Sequence, residues 1–192
     1  SNQNLDWFFN ELIYSRNKID YKITNAKKAN DSIEVTIKNL GDTQVPVSIY
    51  GYNNNKLVSK NWVENNAETF KFYVKNDSIT KFVLNDNYEI PEINNNNNSY
   101  KLKNRFLGNR KIRFTFFKDI ENAKYNQVFY VPTAEFNLYD GLLLGIKFNN
   151  KSIIDKPFTY DITPNLSTKT GTIAGYTGIT FNQLNRNSNN FS

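Results

Sequence analysis

The chain has 192 residues and a formal net charge of +6, and 39% of its residues are hydrophobic and 15% aromatic. This length allows one large domain or two small ones, and the apolar content is enough for a packed core, unlike that of a disordered chain. Because the sequence contains no His and no Cys, it excludes His/Cys zinc sites, Ser-His-Asp triads, Cys nucleophiles and disulfides.

The composition also predicts that the chain is a fragment of a longer protein. It contains no Met, and Ser1-Asn2 at the start looks like a scar left by tag removal. No run of 18 or more apolar residues occurs, so we expect neither a transmembrane helix nor a signal peptide within it.

Apolar residues at helical spacing predict one short helix at the start of the chain. They are Leu5, Phe8, Phe9, Leu12 and Ile13, with Asp6 as a plausible cap. We expect residues 1–17 to form this helix, as the end of a preceding domain.

From residue 18 to residue 95 the pattern predicts a β-sandwich. Apolar and polar residues alternate in short segments separated by polar turns: Ile19–Ile23, Ile33–Ile37, Val45–Ile49, Leu57–Val63, Thr69–Val74 and Ile79–Leu84. Short strands at this spacing are typical of immunoglobulin or fibronectin type III sandwiches, so the predicted fold class is all-β.

The Asn-rich segment Asn85–Asn98 predicts a domain boundary near residue 95, followed by a second β-rich unit over 96–184 and a disordered tail over 185–192. In this second unit Glu135–Phe148 is predicted as one strand. Within Gly141–Phe148 the even-numbered positions are all apolar, and Phe158–Ile162 follows the same rule. This alternation is compatible with a sheet packed on the first domain and equally with strands of a membrane β-barrel.

Several segments of the first half form a recognisable set: Asp6–Phe9, Ile19–Ile23, Val35–Gly41 with Pro46, Trp62-Val63, and Phe82–Asp86 leading to Glu92–Asn94. Together they resemble the region that follows the catalytic domains of bacterial gluzincin metallopeptidases related to aminopeptidase N. The resemblance implies a β-sandwich after a helical domain, with zinc held in an upstream catalytic domain. The His ligands of that zinc site have no counterpart here.

A second resemblance covers Tyr130–Pro132 and Asn137–Gly145, which are similar to the entry of an outer-membrane-type β-barrel in envelope proteins of Gram-negative bacteria. It implies a location in the cell envelope, in the periplasm, the outer membrane or at the cell surface. The partners it implies are an upstream catalytic domain of the same parent chain and the outer membrane or envelope surface.

Three aromatic residues, Tyr50, Tyr52 and Trp62, are candidates for a ligand platform, since flat rings bind sugars or extended peptides. The alternative is that they fill the core or form cross-strand pairs, as Tyr and Trp commonly do in sandwiches.

The net positive charge lies in the second half of the chain, where six cations fall within thirteen residues. They are the candidate polyanion contacts Lys101, Lys103, Arg105, Arg110, Lys111 and Arg113. Interleaved aromatics at Phe106 and Phe114 are compatible with an anionic surface. A solvated strand face is the alternative, and nucleic acid is an unlikely partner.

The carboxylates Asp86, Glu89 and Glu92 lie within seven residues and could form an oxygen-rich calcium site. Their spacing does not match an EF-hand, and solvated loop carboxylates are the alternative. We expect no catalytic residue and no cofactor in this chain.

From these observations we predict a non-catalytic accessory β-region of a cell-envelope gluzincin-type metallopeptidase. The alternative is a free-standing adhesion module that recognises glycan or protein through exposed aromatics.

Overall fold

The computed structural model describes residues 7–64, 67–75, 78–103, 108–153 and 156–182. The regular secondary structure of the described chain is almost entirely β-strand, which confirms the predicted all-β class. It divides into two compact units, with the division between Lys111 and Ile112.

The first unit is a seven-stranded β-sandwich. Its elements are a helical turn at Phe8–Ile13, β1 Tyr21–Ala29, β2 Ser32–Asn39, β3 Val47–Asn53, β4 Lys56–Val63, β5 Thr69–Val74, β6 Lys81–Leu84, a 3₁₀ turn at Asn95–Asn97, and β7 Ser99–Lys101. One antiparallel sheet has the order β1-β2-β5 and the other has the order β4-β3-β6-β7.

The core of the sandwich lies between these two sheets and consists of the alternating apolar residues of both. Ile33, Val35 and Ile37 of β2 and Val47 and Ile49 of β3 are at most 1% exposed. Burial of each such side chain contributes about 1.5–3 kcal/mol to folding. The period of two in the sequence therefore corresponds to the buried face.

The N-terminal helical turn ends at Ile13, before the predicted end at residue 17. Its backbone closes with a bond from Tyr14 N to Phe9 O, which is the i→i+5 spacing of a π-helix. Trp7 and Leu12 pack against the sandwich core. The predicted Leu5 and Asp6 lie outside the described residues.

The Asn-rich run lies within the first unit, which continues beyond the predicted boundary at residue 95 to Lys111. The reason is β7, whose Tyr100 pairs with Phe82 of β6 and is 4% exposed. Asn98 just before it is 2% exposed, and its amide donates to the Leu84 carbonyl at 3.2 Å. An Asn-rich segment thus serves as buried hydrogen-bonding structure here.

The second unit contains a single five-stranded sheet. Its strands are β8 Lys111–Phe116, β9 Tyr125–Asn137, β10 Gly141–Asn149, β11 Phe158–Ser167 and β12 Ile173–Phe181, in the order β12-β11-β10-β9-β8. Strands β9 to β12 pair antiparallel with their sequence neighbours. The predicted disordered tail, 185–192, lies outside the described residues.

The segment Glu135–Phe148, predicted as one strand, is a hairpin. The Asn137 Oδ1 atom accepts hydrogen bonds from the backbone N–H groups of Tyr139 and Asp140. Gly141 then takes a φ of +70°, a conformation that favours glycine. The local turn chemistry of Asn, Asp and Gly therefore interrupts an otherwise continuous apolar pattern.

Candidate functional site

The face of the sheet β4-β3-β6-β7 that points away from the core carries a polar group that we call the Glu89 cluster, defined as Ser48, Tyr50, Lys60 and Glu89. Ser48 pairs with Trp62 across the β3–β4 register, and Tyr50 pairs with Lys60. Residues that are directly opposite or two apart share one face, so these side chains lie side by side.

Glu89 lies in the loop after β6, and its carboxylate binds back onto the sheet. The Ser48 hydroxyl donates to Glu89 Oε2 at 2.9 Å, and the Tyr50 hydroxyl donates to Glu89 Oε1. The Lys60 ammonium lies 3.1 Å from the same Oε1 atom. The loop is thereby fastened to the outer sheet face by one carboxylate with three donors.

Burial and hydrogen bonding determine the ionisation of this cluster. Burial raises the pKa of Glu89, but the bonds from Tyr50, Ser48 and Lys60 together outweigh it and hold the pKa below its ordinary value. Burial, followed by the bond to Glu89, raises the pKa of Tyr50. At neutral pH the cluster therefore holds an ion pair and a neutral phenol.

The three aromatic candidates have different environments. Tyr50 is 1% exposed, and the Tyr52 hydroxyl donates to Asp86, whereas Trp62 is 50% exposed. The Lys60 ammonium lies 5.1 Å from the Tyr50 ring centre and 5.9 Å from that of Trp62. Tyr50 thus packs within a cross-strand pair, and Trp62 presents its ring to solvent.

Tyr88 is an exposed aromatic on the same loop that the sequence did not single out. Its ring is 53% exposed, and its φ is +57°. The sequence contains a signal for this exposure, because Asn85-Asp86-Asn87 are three consecutive turn-forming residues, and a residue next to a tight turn tends to be exposed.

The three carboxylates proposed for calcium do not face one common point. Asp86 and Glu89 bind hydroxyls of the outer sheet face, as described. Glu92 is 8% exposed and accepts bonds from the Tyr21 backbone N–H at 2.8 Å and from the side-chain amides of Asn85 and Asn98. Within the described ranges, no three His, Cys, Asp or Glu residues are grouped so that they could hold a metal ion.

Burial raises the pKa of Glu92, although the three donors act against it. The carboxylate joins the loop to the start of β1 through Tyr21, 71 positions away, and locally to Asn98, which precedes β7. Glu92 therefore connects sequence-distant parts of the sandwich.

The six candidate polyanion contacts do not form one described surface. The Lys101 ammonium donates to the Gly108 carbonyl, and Arg110 donates to the Asn96 side chain. Arg113 stacks 5.3 Å from the Tyr125 ring centre in the second unit. Lys103 and Lys111 are exposed, and Arg105 lies outside the described residues.

The sheet of the second unit has two faces of different composition: one is apolar, and the other combines polar residues such as Thr163 with the buried Phe129 and Leu143. The register places on one face the apolar or uncharged residues Val128, Tyr130, Pro132, Ala134 and Phe136 of β9, Leu142, Leu144, Ile146 and Phe148 of β10, Phe158, Tyr160, Ile162, Pro164 and Leu166 of β11, and Ile173, Thr177, Ile179 and Phe181 of β12. We call this the apolar face.

The apolar face is the exposed one. Leu144 is 48% exposed and Ile162 43%, whereas Thr163 and Ser167 on the opposite face are at most 1% exposed. On that opposite face Thr133 hydrogen-bonds Asn165 at 3.1 Å. This distribution is the reverse of that in a water-soluble sheet, which buries apolar and exposes polar side chains.

No described helix has both the length and the apolar character needed to cross a bilayer. Comparisons of the chain with protein-family models, with curated proteins and with solved structures each gave no match.

Proposed function

We propose that the chain is a non-catalytic, β-rich region of a cell-envelope protein and that its second unit places the apolar face against the acyl chains of the outer membrane. The observation that carries this proposal is the inverted burial of the second sheet. A contiguous apolar face of this extent is larger than soluble monomers usually expose. Alternation of lipid-facing apolar and inward-facing polar residues is the pattern of membrane-spanning strands.

Aromatic residues at both ends of the apolar face support lipid as its partner. At the end where β11 begins, the Phe158 ring centre lies 5.2 Å from that of Phe181 and 6.2 Å from that of Tyr160. At the opposite end Phe136 and Tyr139 are 72% and 86% exposed. Tyr160 and Tyr139 have the polar hydroxyl that favours the membrane–water interface, and an aliphatic band between aromatic residues at its two ends fits a hydrocarbon layer.

Strand length agrees with this proposal. β10 and β12 have nine residues each and β11 has ten. A tilted membrane-spanning strand needs about 9–11 residues to cross the hydrocarbon core. These strands have the required length without an extension.

The first unit is, in this proposal, an accessory sandwich without catalytic groups of its own. Glu89 and Glu92 each accept from three donors of the sandwich, so both carboxylates have a structural role in holding the loop. An upstream gluzincin-type catalytic domain that holds zinc stays a prediction from the sequence resemblance.

The proposal is tested by a single-cysteine scan, which is simple because the chain has no Cys of its own. Residues 142, 143, 144, 146 and 147 are each replaced by Cys and labelled with an environment-sensitive dye in phosphatidylcholine vesicles; Gly145 is left unchanged because a side chain there would meet the Pro164 carbonyl. We expect brominated acyl chains to quench the dye at positions 142, 144 and 146 and not at 143 and 147. Equal quenching at all five positions would refute the proposed lipid contact.

A charge substitution gives an independent measurement. Leu144→Arg on the apolar face should weaken membrane partitioning by about 2–4 kcal/mol if the residue lies near the bilayer midplane. Glu135→Arg is the matched control, because Glu135 is exposed on the opposite face of the neighbouring strand. Equal losses for both variants in neutral lipid would contradict the proposed orientation of the sheet.

A further inference from the structure

The loop between β6 and β7 holds Tyr88 in a conformation that its residue type disfavours. A bulky side chain at φ +57° is a backbone outlier, and such strain persists only where the surroundings impose it. The two flanking residues do so: the Asn87 amide donates to the Tyr50 hydroxyl at 3.1 Å, and Glu89 accepts from Ser48. The result is a tyrosine ring directed into solvent, 53% exposed.

The exposed ring of Trp62 belongs to the same surface. Trp62 is the cross-strand partner of Ser48, and Ser48 donates to the residue that follows Tyr88. Two half-exposed aromatic residues therefore adjoin the Glu89 cluster, because Trp62 pairs with Ser48 and Tyr88 directly precedes Glu89. Flat rings provide contact area for a ligand at little cost in conformational entropy.

The charges of the Glu89 cluster indicate the kind of ligand. Lys60 and Glu89 lie 3.1 Å apart as an ion pair, so they contribute no net charge. An acid or a cation would have to compete with one member of this pair, whereas a neutral molecule with hydroxyl groups can bond to both members and to the Asn87 amide.

We propose that this outer face of the first unit binds a neutral oligosaccharide, with Trp62 and Tyr88 stacking on sugar rings and Lys60, Asn87 and Glu89 bonding the hydroxyl groups. The site is independent of the membrane contact of the second unit. The strain at Tyr88 is retained because it presents the ring to the sugar.

The test is isothermal titration of the full chain with two neutral probes, cellotetraose and chitotetraose. We expect binding of at least one probe, and at least tenfold weaker binding by Trp62→Ala and Tyr88→Asn. Tyr14→Ala is the matched control, since Tyr14 is 78% exposed elsewhere in the first unit. It should bind like the unmodified chain.

Tyr88→Asn separates binding from folding. Asn tolerates positive φ, so this variant should raise the Tm of the first unit by about 4–8 °C while it loses affinity. The proposal is overturned if neither probe binds at millimolar concentration, if Tyr14→Ala weakens binding as much as Trp62→Ala, or if Tyr88→Asn keeps its affinity.

Discussion

Replacement of Glu92 should destabilise the first unit more than any comparable loop substitution. The residue is 8% exposed and accepts one bond from the Tyr21 backbone and two from the amides of Asn85 and Asn98. Glu92→Ala leaves the Tyr21 backbone N–H without an acceptor and removes one bond from each of the two amides, which keep their bonds to the Ile90 and Leu84 carbonyls. The unpaired N–H costs about 1–3 kcal/mol and each lost amide bond about 0.5–1.5 kcal/mol, so a loss of about 2–6 kcal/mol is expected from a stability of roughly 5–15 kcal/mol.

Glu92→Gln tests the charge through the pH dependence of stability, because the acceptor that the Gln amide lacks costs the same at every pH. Burial raises the pKa of Glu92 in the folded state, so the protonated form is favoured on folding. The resulting stabilisation is complete below the unfolded pKa of about 4.3 and is lost as the pH rises through the folded pKa. The neutral Gln variant lacks this dependence. The unmodified chain should therefore lose stability relative to Glu92→Gln as the pH rises from 4 to 7.

Urea unfolding followed by tryptophan fluorescence measures this effect in the first unit alone, because the two tryptophans of the chain are Trp7 and Trp62. Glu89→Gln is the matched control with the opposite sign. The pKa of Glu89 is lowered in the fold, so its contribution is present above the unfolded pKa and lost as the pH falls through the folded pKa. Identical pH profiles for the two variants would refute the reasoning.

Three further outcomes are expected. Tyr21→Phe should cost about 1–3 kcal/mol in the urea assay, because the buried hydroxyl donates to the Val45 carbonyl at 2.9 Å and accepts from its N–H at 3.0 Å; an unchanged midpoint would contradict this. Gly145→Ala should lower the thermal stability of the second unit, since a Cβ there would lie 2.3 Å from a backbone carbonyl. Gly171→Ala is the control, because that site is open and should cost only about 1 kcal/mol of backbone strain. Equal losses of stability for the two variants would show that the close approach at Gly145 has no effect. Limited proteolysis should not cut within residues 94–98, because Asn98 is buried and hydrogen-bonded to the Leu84 carbonyl. A cut there would show that this segment is not held in the folded first unit.

Much of the strand content follows from the sequence alone. The alternation at Ile33, Val35 and Ile37 places three side chains on one side of an extended backbone whatever packs on them, and all three are in the core. The hairpin at residues 137–141 was missed because its apolar Leu138 and Tyr139 resemble strand residues. The Asn137 side chain closes that turn through bonds that periodicity does not show.

The candidate sites depended more on tertiary structure. Tyr50 and Trp62 have the same aromatic character in the sequence, yet a loop from after β6 covers the first and leaves the second open. Residues 39 positions apart in the chain meet in this contact, and no local pattern encodes it. Glu89 and Glu92 likewise differ by three positions and have opposite pKa shifts, because one accepts bonds at the surface and the other is buried.

The sequence by itself determined which residues share a face, because side chains alternate along any extended strand. Only the tertiary structure decided which face is covered, since that depends on what packs against it. In the first unit a second sheet covers the apolar face. In the second unit the same alternation at Leu142, Leu144 and Ile146 leaves the apolar side exposed and the polar side buried. Asn98 is a single-residue example of a burial that the sequence does not predict. Asn usually forms exposed turns, but this side chain is buried because its amide donates to Glu92 and to the Leu84 carbonyl.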